Sequence, residues 1–145
     1  MKIVLQRVKS ASVKTSGKTV ANIGKGFLLL TGIGPDDTID NLSKAAKKIS
    51  GLRIFEDEKG KMNLDLKQIG GEILAVSNFT LYADCRKGNR PSFANAAAPD
   101  YALKMFDKFA NELRNRGFKV QTGTFGEHMD VEMVNWGPVT ILLEF

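Results

Sequence analysis

Phe27-Leu28-Leu29-Leu30-Thr31-Gly32-Ile33 is a nearly continuous apolar run held between Gly24-Lys25-Gly26 and Gly34-Pro35-Asp36-Asp37. An apolar run of this length between turn signals reads as a buried strand. Its wholly apolar part, Phe27–Leu30, is far too short to cross a bilayer. Toward the N-terminus, Thr19-Val20-Ala21-Asn22-Ile23 and Ser12-Val13-Lys14-Thr15 flank Ser16-Gly17-Lys18, which predicts a hairpin. Before it, Ile3, Leu5 and Arg7 alternate with Val4, Gln6 and Val8 as a first strand.

Toward the C-terminus the period changes. Ile39, Leu42, Ala45, Ala46, Ile49 and Leu52 recur at helical spacing after Asp37 or Thr38, either of which can cap the helix. Lys44, Lys47 and Lys48 lie toward the C-terminal half, where the helix dipole favours cations, and Gly51 terminates it. Arg53-Ile54-Phe55 reads as a short strand and Asp57-Glu58-Lys59-Gly60 as a turn. Gly70-Gly71 introduces the strand Glu72–Val76, which runs into Ser77-Asn78-Phe79-Thr80-Leu81. A polar loop with Arg86, Lys87, Gly88, Asn89 and Arg90 follows. Pro99 then opens a second helix, with Ala102, Leu103, Phe106, Phe109, Ala110 and Leu113 as its buried face. Phe118–Thr122, Met129–Val134 and Val139–Phe145 are three further strand-like runs. Strands outnumber helices and come in runs, so the pattern predicts an α+β domain over residues 1–145 with an antiparallel or mixed sheet. No Gly-rich phosphate fingerprint follows a strand, which excludes Rossmann and P-loop readings.

The 145 residues, 43% hydrophobic and 26% charged, have the composition of an ordinary globular domain. One cysteine, Cys85, cannot form an internal disulfide, and Met1-Lys2 leads straight into a strand pattern; the expected location is the cytoplasm. A net charge of +5 favours anionic partners.

The familiar catalytic kits are nearly absent. A single histidine, His128, excludes a multi-histidine metal site, and a Cys85/His128 pair is the only conceivable thiol nucleophile. What remains are hydroxyls and main-chain donors. Ser77-Asn78-Phe79-Thr80 ends an apolar strand with polar groups, and peptide N–H groups left unpaired there could stabilise an oxyanion. The plainer alternative is that Ser77 and Thr80 are half-buried strand hydroxyls. Gly137-Pro138 stands at the mouth of the last strand, where proline is tolerated and can be cis, or where it serves simply as an edge turn. The Arg86–Arg90 segment could hold phosphates, or be an ordinary solvated loop.

Together these segments resemble the D-aminoacyl-tRNA deacylase family. Its Ser-Gln-Phe-Thr-Leu and Asn-x-Gly-Pro-Val-Thr boxes stand here as Ser77-Asn78-Phe79-Thr80-Leu81 and Asn135-Trp136-Gly137-Pro138-Val139-Thr140. Gln6-Arg7-Val8, Ala11-Ser12-Val13, Lys61-Met62-Asn63-Leu64 and Tyr82-Ala83-Asp84-Cys85-Arg86-Lys87-Gly88 follow the family in the same order. Asn78 departs from it, since the family usually carries Gln there.

The resemblance implies a barrel-like subunit with two main amphipathic helices, working as a homodimer. It implies hydrolysis of the ester linking a D-amino acid to the 3′ acceptor end of tRNA, with glycyl-tRNA also cleaved. Ser77, Phe79 and Thr80 become the expected catalytic set, with the Phe79 and Thr80 N–H groups as oxyanion donors. Asn78, Gly137, Pro138, Val139, Arg7 and Met129 become the expected substrate-binding set. The resemblance further implies that Arg7 steadies the Gly137-Pro138 turn and that this turn reaches into the other subunit to reject L-residues. No metal, no cofactor, no membrane and no DNA is expected. Two other readings compete: a non-catalytic RNA-binding module, and a different small-ester or thioester hydrolase on the same scaffold.

Overall fold

The computed structural model describes residues 1–145. Eight strands and two helices follow in chain order: β1 (Lys2–Thr15), β2 (Lys18–Ile23), β3 (Gly26–Gly32), α1 (Ile39–Ser50), β4 (Phe55–Glu56), β5 (Met62–Leu64), β6 (Glu72–Ser77), α2 (Pro99–Asn115), β7 (Val120–Thr122) and β8 (Asp130–Glu144). The class is α+β, as expected. A mixed six-stranded sheet curls into a nearly closed barrel, and β4 and β5 form a separate small ribbon.

The long first strand organises the sheet. Its N-terminal half pairs antiparallel with β3, its C-terminal half with β2, and β8 follows it along almost its whole length. The two N-terminal strands expected from the pattern are therefore one strand, carried through register shifts between Gln6 and Ser10. Met129–Val134 and Val139–Phe145 likewise merge, since β8 runs through the Gly137-Pro138 pair that was expected at a strand mouth. Beyond β3, strands β6 and β7 add in parallel.

Side chains on the central strands alternate between two cores, as the two-residue period of a strand requires. Phe27, Leu29, Ile73 and Ala75 face the helices, where they meet Leu42, Ala45, Ala46 and Ile49 of α1 and Met105, Phe106, Phe109 and Leu113 of α2. Phe27 stacks on Phe55 at 5.2 Å between centroids. Leu28, Leu74 and Val76 face the opposite way into the curl of the sheet, against Val8, Ala11, Val13, Ala21 and Ile23. Each fully buried Leu, Ile or Phe contributes roughly 1.5–3 kcal/mol of transfer free energy, so burial on both faces makes β3 and β6 the anchor of the fold.

The helices follow the expected spacing with two corrections. Ile39 is exposed at the first position of α1, and Leu103 is exposed while Met105 takes its place inside. The three-to-four-residue stripe through Ala102, Met105/Phe106, Phe109/Ala110 and Leu113 leaves Leu103 off the buried face. Thr38 is the N-cap of α1, in a reciprocal box with Asn41.

Two local devices shape the barrel. A Cβ on Gly26 would stand 1.8 Å from the Glu72 carbonyl oxygen, so only glycine lets β3 begin against β6. The gap between β7 and β2 is bridged by a side chain: Asn22 N–H donates to Gln121 Oε1 at 3.0 Å, and Gln121 Nε2 donates to the Asn22 carbonyl.

Candidate active site

The chain leaves the sheet at the end of β6. Asn78 N–H still donates to the Thr31 carbonyl at 2.8 Å, but the following residues form a 3₁₀ turn, Phe79–Tyr82, not a strand end. Asn78 builds that turn. Its Oδ1 accepts from Thr80 N–H at 3.2 Å and from the Thr80 hydroxyl at 2.5 Å. A short amide that returns to its own backbone two residues on is how Asn nucleates a turn. The expectation of two free donors is therefore corrected. Thr80 N–H is occupied by Asn78, whereas Phe79 N–H donates to no protein acceptor.

This turn forms one wall of a cavity of about 780 Å³ at the open end of the barrel. Leu30, Val76 and Val131 form its floor, continuous with the inner core. Ala96 and Ala97, with Pro99 and Ala102 of the first turn of α2, form a second wall, and Phe125, Gly126, Glu127, His128 and Met129 between β7 and β8 form a third. Phe79 is exposed and meets Phe93 edge to face at 5.1 Å across the mouth. The volume and mainly apolar lining suit a nucleoside-sized ligand.

Of the residues expected from sequence, the cavity brings together Ser77, Asn78, Phe79, Thr80 and Met129. Arg7, Gly137, Pro138 and Val139 do not line it. His128, the single histidine, is exposed at the rim of this cavity. Cys85 is exposed and not part of the lining. No three His, Cys, Asp or Glu side chains cluster as a metal site.

The absent four residues form a second, separate constellation. In the β1–β8 ladder Gln6 pairs with Thr140 and Val8 with Asn135, so Trp136-Gly137-Pro138-Val139 bulge outward opposite the single residue Arg7. The Gly137-Pro138 peptide is cis and both residues are exposed. Arg7 lies behind the bulge with 2% of its surface exposed. Its Nε donates to the Trp136 carbonyl at 2.7 Å and its Nη1 to the Ile54 carbonyl at 2.6 Å, while Nη2 lies 3.6 Å from Glu56 Oε1. The guanidinium also sits 5.1 Å from the centre of the Trp136 ring, a cation–π contact.

A residue that sequence reasoning passed over closes the bulge. Asn135 Oδ1 accepts from Val139 N–H at 2.9 Å, and Asn135 Nδ2 donates to the Val139 carbonyl at 3.1 Å and to Gln6 Oε1 at 3.0 Å. One amide thus spans the neck of the loop in both directions. The available signal was an amide just before a Gly-Pro pair, with a second amide, Gln6, beside Arg7.

Comparison with known proteins identifies the family. The family model described as D-Tyr-tRNA(Tyr) deacylase matches residues 4–144. The D-aminoacyl-tRNA deacylase of Desulfatibacillum aliphaticivorans is 56% identical over 144 residues, covering 99% of both chains. That of Thermosipho africanus is 54% identical, covering 99% of this chain and 97% of its own. Among solved structures, the c-Myc DNA unwinding element binding protein superposes with a TM-score of 0.94 at 40% identity, covering 100% of this chain and 99% of its own. A probable eukaryotic D-amino acid tRNA deacylase superposes at 0.85 with 19% identity, covering 98% and 97%, a likeness of fold alone. With a family model spanning nearly the whole chain and relatives above half identity over the same length, this chain belongs to the D-Tyr-tRNA(Tyr) deacylase family.

Proposed function

We propose that this chain hydrolyses the ester between a D-amino acid and the 3′-terminal adenosine of tRNA, and cleaves glycyl-tRNA as well, acting in the cytoplasm as a homodimer. The observation that carries the reading is the unpaired Phe79 N–H on the wall of a nucleoside-sized, largely apolar cavity.

Water attacks the ester carbon, and the carbonyl oxygen takes up the negative charge. Phe79 N–H holds that oxygen, and a donor of this kind is worth roughly 3–4 kcal/mol in well-studied cases. The C–O bond to the ribose then breaks, and the 3′-oxygen leaves with a proton that comes ultimately from the attacking water. Thr80 is not the nucleophile in this scheme, because its hydroxyl donates to Asn78. Asn78 acts by shaping the turn that aims Phe79 N–H.

Chirality is sorted by a second copy of the chain. Gly137 and Pro138 are exposed on their bulge, and nothing within one chain brings them to the cavity. β8 pairs only with β1 and displays Met133, Val134 and Leu142 on its surface. Met133 also lines the cavity, so a partner seated on β8 lies beside the mouth. The partner's Gly137 and Pro138 carbonyls then hold the substrate ammonium. An L side chain collides with that turn, a D side chain points outward, and glycine has nothing to collide.

The test is release of amino acid from D-tyrosyl-, L-tyrosyl- and glycyl-tRNA. Cleavage of the first and third with sparing of the second is expected. Binding without release, or equal cleavage of both tyrosyl forms, overturns the reading.

A further inference from the structure

Cys85 to Pro91 form a loop whose stem is pinned. Asp84 N–H donates to the Ser92 carbonyl at 2.7 Å and Ser92 N–H to the Asp84 carbonyl at 3.0 Å. The residue after the stem, Phe93, lines the cavity and packs on Phe79. The loop therefore rises from the cavity rim.

Its three cations are not equivalent. Arg86 is committed locally, donating from Nε at 2.8 Å and Nη2 at 2.7 Å to the Asp84 carboxylate. Lys87 and Arg90 are exposed and pair with no carboxylate. On the wall between β7 and β8, Glu127 is exposed and equally without a cationic partner. The loop joined to the mouth through Phe93 thus carries free cations, and the wall between β7 and β8 carries a free anion.

A polyanion entering such a site is steered by that difference. We infer that Lys87 and Arg90 hold the phosphates of the nucleotides preceding the terminal adenosine, so that the acceptor strand leaves over this loop and away from Glu127. The inference rests on the reading that the cavity takes the terminal aminoacyl-adenosine. That ligand accounts for the cavity, and the preceding phosphates must lie outside it. Arg90 offers a fork that fits two phosphate oxygens, while Lys87 acts as a point charge. The Asp84–Ser92 stem keeps both at the rim.

The experiment compares the double variant Lys87→Ala/Arg90→Ala with Lys47→Ala/Lys48→Ala, which removes the same charge from the exposed face of α1, outside the cavity lining. Binding of uncharged tRNA is read by fluorescence anisotropy across a salt series. Two lost phosphate contacts on a single strand should lower the slope of log affinity against log salt by about 1.4. The affinity lost between about 50 and 200 mM salt should then shrink about sevenfold. The α1 variant should keep the wild-type slope. The KM for D-tyrosyl-tRNA should rise in the loop variant with kcat unchanged, and hydrolysis of 3′-O-(D-tyrosyl)adenosine, which lacks the phosphates, should keep its rate. An unchanged slope, an equal drop in both double variants, or an equal loss on the nucleoside ester overturns the inference. Failure of the wild type to cleave either ester would instead remove the hydrolase reading, and the tRNA-binding slopes would still judge the loop.

Discussion

At the scale of single residues, two amides and one guanidinium set the geometry. Asn78 is one methylene shorter than the Gln usual in the family, and here its oxygen caps the 3₁₀ turn and accepts the Thr80 hydroxyl. A cap of this type is worth about 1 kcal/mol, or roughly fivefold in rate if the loss falls on the transition state. Asn78→Ala should lower kcat by about that factor, while Asn78→Ser, whose hydroxyl can accept from the same N–H, should recover most of it. Equal losses in both would show that the amide itself touches substrate. Arg7 donates to the carbonyls of Trp136 and Ile54 from one buried fork. Lysine cannot reproduce that fork, so Arg7→Lys should cost about 2–3 kcal/mol in urea denaturation and reduce discrimination between D- and L-tyrosyl-tRNA. Gly137 has φ +154°, and a Cβ there would meet Val139 N at 2.5 Å. Gly137→Ala should therefore distort the bulge at a cost of about 1–3 kcal/mol, and L-tyrosyl-tRNA should begin to be cleaved. Unchanged rejection of L-substrate would count against the role given to this turn.

At the scale of elements, the loop from Asp84 to Ser92 carries its own pH dependence. The Arg86 guanidinium, and after it the Arg86 N–H, hold the Asp84 carboxyl below its ordinary range. A carboxyl with a depressed folded-state pKa contributes stability above its unfolded value and loses it as pH falls through the folded one. Protection of the Asp84–Ser92 stem amides, their exchange relative to the intrinsic rate at each pH, should accordingly stay constant from neutral pH down to about pH 4 and fall below it. Asp84→Asn should abolish that step. If the stem is governed by its backbone bonds alone, wild type and variant will exchange alike. The 3₁₀ turn shows why one element at the site was misread from sequence, whereas the Asp84–Ser92 loop was expected as a polar loop and is one. Ser77–Leu81 continues an apolar strand pattern, but the Asn78 side chain diverts the backbone, and such short-range competition leaves no periodic trace.

At the scale of the whole molecule, β8 is the exposed boundary. A strand of 15 residues with one unpaired edge and with Val134 and Leu142 uncovered is a surface that invites a second copy. If a second copy seats on β8 as proposed, Leu142→Glu with Val134→Lys should weaken that association by at least about a hundredfold, nearly 3 kcal/mol, as read by sedimentation. Deacylation should fall in parallel with the dimer fraction, while the monomer keeps its circular dichroism spectrum. A fully active monomer would remove the cross-subunit role of Gly137 and Pro138. Both boxes can then belong to one site only in the assembled pair, since in a single chain one box faces the cavity and the other a bulge on β8.

The amino-acid sequence by itself determined the alternating and helical periods, and with them the α+β class, both helices and the buried β3 and β6. These follow from local rules, because a side chain's face is set by its position in the repeat. It also carried the two boxes, and so the family. Only the tertiary structure decided that β1 and β8 are each continuous and that their mismatched register expels Trp136–Val139 against Arg7. The same holds for the meeting of Phe125–Met133 with the Phe79 turn at the barrel mouth. Register and closure depend on contacts between residues more than a hundred positions apart, such as Arg7 with Trp136 and Gln6 with Asn135, and no local period encodes which distant partner wins.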